Sequence, residues 1–332
     1  MLRVLKLHYL KIRYGVVINV GIKPLNTKLM MNEDAIHHLL AQAENDENST
    51  SAYWDEHKSL FKVQSDGTIT GRSVLGNASS KRSILRDAAH FLLQLPLKKW
   101  ARQYNALGYC EKLGRKLAKQ AGRQFTYDFL RHVFTLALIQ QYRAEITTTG
   151  NTLVIGDGFG TMASLILGNS PDTRAIVVNL TKPLILDLIY LKRTFPSCDI
   201  ALVSSNEEMD IALKNLNIRV IAVQADDCDI LYQAPIDLAI NIVSMQEMDM
   251  PVVEKYFDIL RRNPAEKTAF YCCNRRVKTS NFEEFPWDSK DLILEDGICE
   301  WSQHYYSNKW PFIHRRTYGG RTVMHRFVEL KK

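Results

Sequence analysis

The chain has 332 residues, 46% of them hydrophobic, and a formal net charge of +7, enough to bury one sizeable core or two smaller ones. No apolar run reaches the roughly 18 residues that mark a membrane span. Six scattered cysteines, none in a C-x-x-C pair, argue against a disulfide framework or a zinc site and for reduced, structural thiols.

Met1–Met30 carries Arg3, Lys6, Lys11, Arg13, Lys23 and Lys28 and no acid. It lacks the apolar centre and small-residue cleavage site of a secretory signal, so a cytoplasmic protein is expected. Asn32–Glu56 is acidic, and residues 1–50 are expected to form an arm, basic and then acidic, with little fixed structure. Residues 51–148 are expected to be a helical region serving as a lid. Tyr53–Val63 has the anchors of a short helix in Trp54, Leu60 and Phe61, and polar loops are expected over Asn45–Ser51 and Ser65–Gly76. Amphipathic helices are predicted over Ser83–Gln94, Lys99–Leu107, Cys110–Gln120 and Thr126–Arg143, the last from Leu130, Phe134, Leu138 and Tyr142. His132 is expected to face the core. Basic residues far outnumber acids from Arg72 to Arg143, and Lys112, Arg115, Lys119 and Arg123 would share one helical face. Such a face suits a phosphorylated substrate, RNA or plain solvation.

From Thr152 the pattern becomes strand–helix alternation. Strands are predicted at Thr152–Ile155, Ala175–Leu180, Ile200–Val203, Ile218–Val223, Ile236–Val243 and Thr268–Cys273, with Thr322–Leu330 as the last. Helices are predicted between them, including Thr181–Phe195, Asn206–Asn215 and Met250–Arg262. Such βα repetition gives an α/β fold with a mostly parallel sheet and helices on both faces.

Leu153-Val154-Ile155-Gly156-Asp157-Gly158-Phe159-Gly160 is a buried strand running into a glycine turn, and Thr161–Leu167 continues as a helix. Glycines allow positive φ or a close backbone approach, and the turn offers N–H groups to a nucleoside-containing cofactor. Gly158-x-Gly160-x-x-Ala163 fits a dinucleotide, and Gly156-x-Gly158-x-Gly160 equally fits S-adenosylmethionine (SAM). Either cofactor calls for an acid on the ribose at the end of the next strand, where Asn179 stands instead. Farther on, the strand Ile236–Val243 ends in Ser244-Met245-Gln246-Glu247-Met248. Strand ends face the ligand crevice of such sheets, which places Asn241, Ser244, Gln246 and Glu247 near the reacting centre.

The glycine turn, Asn241-Ile242-Val243-Ser244-Met245-Gln246-Glu247-Met248, Phe270-Tyr271-Cys272-Cys273-Asn274-Arg275 and Tyr53-Trp54 together resemble the sugar O-methyltransferases of bacterial polysaccharide gene clusters. The resemblance runs from about Ser51 to the C-terminus. It implies a Rossmann-like class I methyltransferase sheet over residues 149–332, SAM as cofactor, and a sugar hydroxyl, on a nucleotide sugar or polysaccharide precursor, as acceptor. On that reading Gly156, Asp157, Gly158 and Gly160 cradle the methionine end, Asn179 meets the ribose, and Asn241 and Ser244 complete the cofactor side. A hydroxyl needs a base as its proton leaves. Glu247, just past the strand end, is one candidate for base or anchor. His304, within Trp301-Ser302-Gln303-His304-Tyr305-Tyr306, is a second, and His314 ranks after it. Gln246, Asn274, Arg275 and Tyr305 are expected on the acceptor, Arg275 suiting a phosphate. Asp226-Asp227 stand where an acid often meets the adenine. A divalent metal would serve such chemistry, but no metal-ligand spacing appears. Two rival readings are an RNA methyltransferase using the basic 72–143 region, which lacks an Asn-Pro-Pro-aromatic block at Asn241–Ser244, and a non-catalytic nucleotide-binding scaffold.

Overall fold

The computed structural model describes residues 29–43, 61–64, 69–71, 83–306, 314–316 and 322–332. A two-residue strand, β1 (Met30–Met31), leads into helix α1 (Asn32–Gln42). Strands β2 (Phe61–Val63) and β3 (Ile69–Gly71) pair antiparallel, so Phe61–Val63 is strand where a helix was expected. Tyr53 and Trp54 lie outside the described residues. Next come α2 (Ile84–Gln94), a 3-10 segment (Leu95–Trp100), α3 (Leu107–Gln120) and α4 (Tyr127–Arg143). The helix expected over Lys99–Leu107 does not form. Its backbone closes successive three-residue turns instead, Ala101 N to Lys98 O at 3.1 Å, Tyr104 N to Ala101 O and Leu107 N to Tyr104 O at 3.0 Å, after Pro96 has removed a donor from the first turn.

The second half runs β4 (Gly150–Ile155), α5 (Thr161–Asn169), β5 (Thr173–Asn179), α6 (Thr181–Thr194), β6 (Asp199–Leu202), α7 (Asn206–Lys214) and β7 (Ile218–Gln224). It continues through β8 (Leu238–Ile242), α8 (Met250–Arg262), β9 (Thr268–Arg275), β10 (Leu292–Ile298), β11 (His304–Tyr306), β12 (His314–Arg316) and β13 (Val323–Leu330). Nine strands form one sheet in the order β1-β6-β7-β5-β4-β8-β9-β13-β10. Strands β4 to β9 are mutually parallel, and β13 runs antiparallel between β9 and β10. This is the expected Rossmann-like, mostly parallel sheet with helices on both faces.

Alternate side chains of the central strands serve two cores. Val154, Ala175, Val177, Leu238 and Ile240 pack on the side of α3–α6, whereas Leu153, Ile155, Ile176, Val178 and Ala239 pack on the side of α7 and α8. A strand buried on both faces has to read as a continuous apolar run, as these do. Residues 29–43, expected in the N-terminal arm, are part of this body. β1 extends the sheet edge at Leu202, α1 buries Ala35, Ile36 and Leu39, and the Asn32 amide bridges Asp199, Lys192 and the Ile200 N–H at 3.1 Å each. Among the described residues no helix is long and apolar enough to cross a membrane.

Chain order runs outward from β4 in both directions, through β5 on one side and β8 on the other. The crevice between them is where such sheets take ligands. Ile155 at the end of β4 is in register with Asn241 of β8, which brings the glycine turn and the Ser244–Met248 block side by side.

Candidate functional site

All three glycines of the turn take positive φ, +70° at Gly156, +84° at Gly158 and +58° at Gly160. Two of them are forced by packing. A β-carbon on Gly156 would sit 2.6 Å from Ser244 Cβ, and one on Gly160 would sit 2.8 Å from the Asp187 carbonyl oxygen. Gly158 differs, because a β-carbon there would meet no atom within 4 Å. Its outer side is open at the head of the crevice.

Asp157 reaches forward over the turn. Its Oδ1 accepts from Met162 N at 3.0 Å and its Oδ2 from Ala163 N at 2.8 Å. The carboxylate thus takes two of the N–H groups that the first turn of α5 leaves without helical partners. Behind the turn lies Asp187 of α6, fully buried, accepting from Gly160 N at 2.7 Å and from Asn179 Nδ2 at 2.9 Å. Burial raises the Asp187 carboxyl well above its ordinary range, and the nearby Asp157 charge pushes the same way. The Asn179 and Gly160 donors and Arg123 oppose the shift. Asn179 stands at the end of β5 as expected, with its amide on Asp187 and on Leu180 N at 3.0 Å. Arg123 does not continue the basic row of α3. It turns inward after Gly122 (φ +67°), donates from Nη1 to Phe159 O at 3.0 Å and to Thr161 Oγ1 at 3.2 Å, and lies over the Tyr190 ring.

Across the crevice, Asn241 is fully buried and fastens the end of β8. Its Nδ2 donates to Ile155 O at 3.0 Å and contacts Ser244 Oγ. Its Oδ1 accepts from Asn274 Nδ2 at 2.8 Å and Met245 N at 3.2 Å. Ser244 Oγ donates to Ile155 O at 3.0 Å. Asn274 Oδ1 accepts from Gln246 N at 3.0 Å, and Gln246 Oε1 from Arg275 N at 2.7 Å. Asn241, Ser244, Gln246 and Asn274 therefore form one network that ties the ends of β4, β8 and β9 together. Val243 sits inside it at φ +57°, a conformation that costs a β-branched residue about 1–3 kcal/mol and that needs surrounding contacts to hold it. Glu247 lies at the rim, ion-paired to Lys278 Nζ at 2.6 Å. Arg275 is exposed at the end of β9. His304 and Tyr305 belong to β11, which pairs with β12 through Arg316 and Arg315, and His314 belongs to β12. Their side chains lie outside the described residues. Asp226 and Asp227 follow β7, with the Asp227 carboxyl raised by burial and by Asp226.

A small cleft opens beside the turn, lined by His132, Gly156, Asp157, Met162, Ile240 and Ile242. His132 is buried on α4, as expected of a core-facing residue, and it also lines this cleft. Its Nδ1 lies 2.8 Å from the Asp128 carbonyl oxygen. A carbonyl only accepts, so Nδ1 carries the proton, and in the neutral ring Nε2 is left as the acceptor. Among the described residues no group of three His, Cys, Asp or Glu side chains is placed to hold a metal.

No protein-family model matches the chain, and no curated protein matches it. The resemblance to sugar O-methyltransferases therefore stands on the quoted motifs alone. Solved structures do match. One is the precorrin-6y C5,15-methyltransferase of Geobacter metallireducens GS-15, 13% identical over 55% of this chain and 81% of that one, with a TM-score of 0.33. Another is the pyocyanin biosynthetic protein PhzM, 12% identical over 82% and 81%, TM-score 0.35. A third is Haemonchus contortus phospholethanolamine N-methyltransferase 2 with S-adenosylhomocysteine bound, 14% identical over 50% and 39%, TM-score 0.34. The assignment of the fold rests on strand order and register.

Proposed function

We propose that the chain is a SAM-dependent methyltransferase acting on a hydroxyl, with a sugar as the acceptor class. The observation that carries the cofactor reading is Asp157. A dinucleotide would lay its pyrophosphate against the first N–H groups of α5. Here a carboxylate already occupies Met162 N and Ala163 N, and it would repel a phosphate. A cofactor with a sulfonium and an amino group suits the same anionic turn, and the open side of Gly158 leaves room for it.

SAM, when bound, supplies an electrophilic methyl group. Gly156, Asp157, Gly158 and Gly160 would hold its methionine end, and Asn179 its ribose. The Asn241–Ser244–Gln246–Asn274 network keeps the wall of the pocket rigid, so that the acceptor oxygen is held in line rather than merely nearby. His132 Nε2 takes the acceptor proton, since Asp157 in the same cleft is committed to capping α5. Glu247 and Arg275 at the rim orient the acceptor, Arg275 serving a phosphate where one is present. α4 lines this pocket through His132, and His304 and Tyr305 are further candidates for binding the acceptor. The sugar itself is supported by the motif resemblance.

Calorimetric titration with SAM and with NAD tests the cofactor. Binding of SAM without NAD is expected, and tight NAD binding with no response to SAM would overturn the reading. A methyl-transfer screen over nucleotide sugars and glycan fragments, with and without EDTA, tests the acceptor.

A further inference from the structure

Helix α2 is turned the wrong way round for a helix on a protein in water. Its buried side chains are His90 and Gln94. Gln94 is fully buried, donating to Phe125 O at 2.9 Å and accepting from Arg115 at 3.3 Å, and Asp87 accepts from Gln124. The opposite face is apolar and outside. Ile84 is 83% exposed, Leu85 84% and Leu92 64%, and Phe91 and Leu95 are exposed as well. At 100° per residue these five, with the exposed Ala88 and Ala89, form one continuous stripe. A contiguous apolar patch of this kind marks an interaction surface.

The charges around the stripe select its partner. From Ile84 to Arg123 the chain holds nine basic residues and two acids, Asp87 and Glu111. Both acids are held internally, Glu111 by Lys98 and Arg115 at 2.8 Å each and Asp87 by Gln124. Lys98 and Arg115 lie over the Phe91 ring at 5.3 and 5.2 Å. Beside Arg115, α3 shows Lys112, Lys116 and Lys119 to solvent, and Arg86, Lys99 and Arg102 are exposed too. A second copy of this chain would set that cationic rim against itself. An apolar ridge bordered by lysines and arginines fits the headgroups and upper acyl chains of an anionic bilayer.

We propose that α2 and the exposed row of α3 form a peripheral docking surface for an anionic membrane. It is independent of the methyl-transfer reading, because none of its residues lines the cleft. The test is co-sedimentation of the full chain with vesicles of equal parts phosphatidylcholine and phosphatidylglycerol, against vesicles of phosphatidylcholine alone. Binding is expected only to the anionic vesicles and to weaken as salt rises. Leu85→Glu/Leu92→Glu is expected to reduce it about tenfold or more while circular dichroism and melting stay native. Lys112→Gln/Lys116→Gln provides a second arm that leaves the apolar stripe intact and is expected to weaken binding as well. No capture by anionic vesicles overturns the proposal, as does capture that neither variant weakens. A dimer in light scattering that Leu85→Glu/Leu92→Glu dissolves, without vesicle binding, would assign the stripe to a second copy instead.

Discussion

Gly156 and Gly158 are two residues apart, both at positive φ, and alanine at each should do a different kind of damage. Gly156→Ala meets two penalties. The left-handed backbone costs a residue with a β-carbon about 1–2 kcal/mol. The new methyl also lands 2.6 Å from Ser244 Cβ, on a side chain that the Asn241 network holds in place, and such overpacking adds about 1–3 kcal/mol. Gly158→Ala meets only the first, because nothing stands within 4 Å of the new carbon. At about 3 °C per kcal/mol, Gly156→Ala should melt about 6–15 °C below the native chain and Gly158→Ala about 3–6 °C below it. Affinity should run the other way. The Gly158 methyl projects into the space assigned to the cofactor, so SAM should bind it at least about tenfold more weakly, a loss of about 1.4 kcal/mol that its melting shift does not explain. Differential scanning fluorimetry and titration calorimetry on the same preparations give both numbers. If Gly158→Ala binds SAM like the native chain, or if the two variants melt alike, the turn does not face a cofactor as argued.

Asp187 gives the molecule a pH signature. Burial raises its folded-state pKa, so its contribution to stability is complete below the unfolded carboxylate range and is lost as pH rises through the raised value. Asp187→Asn should therefore flatten the fall in melting temperature as pH rises above the ordinary carboxylate range, and an unchanged slope in thermal scans would reject the assignment. His132→Ala should lower kcat by roughly 10²–10⁴ with SAM affinity near native; unchanged turnover rules His132 out as the base. Gly114 lets α3 approach α4 so closely that a β-carbon would lie 2.6 Å from Val133 Cγ2. Gly114→Ala should cost about 1–3 kcal/mol in urea unfolding, and a neutral result would mean that Val133 has space to turn away.

The parts of the fold that were legible in the sequence are those where local and tertiary signals agree. β4, β5 and β7 are apolar on both faces because both faces are covered, so a β-branched run suffices to find them. β10 was not found, since at the sheet edge Leu292 and Ile293 are half exposed and the strand has no run of buried positions. β1 has two residues, and its pairing with β6 depends on a partner some 170 positions away. The basic row was legible only as far as its helix lasts. Spacing alone carries Arg123 onto the face of Lys112, Arg115 and Lys119, but α3 ends at Gln120 and Gly122 turns the chain. His132 was hidden for a related reason. It sits in a helix whose apolar residues point both at the sheet and around the cleft, so periodicity marks it as buried without saying against what.

The acid missing from the sequence motif is the clearest case of chemistry that spacing cannot locate. Asn179 occupies a position where a carboxylate was expected, which made the turn look incomplete for any nucleotide. The fold supplies carboxylates from two other places. Asp157 lies within the turn and points forward onto α5, and Asp187 comes from the next helix, 27 residues after Gly160, to hold Gly160 N and Asn179 from behind. Asn179 can replace an acid at the end of β5 because the carboxyl it lacks is placed one hydrogen bond farther back. Arg123, reaching in from the α3–α4 connection to the Phe159 carbonyl, offsets part of that buried negative charge. The glycine turn thus depends on residues from three separate segments. Replacing Asn179 by aspartate would set a second carboxylate beside Asp187, a pair that cannot both ionise in so buried a place. The unusual asparagine and the buried aspartate therefore belong together, and neither can be understood from its own stretch of sequence.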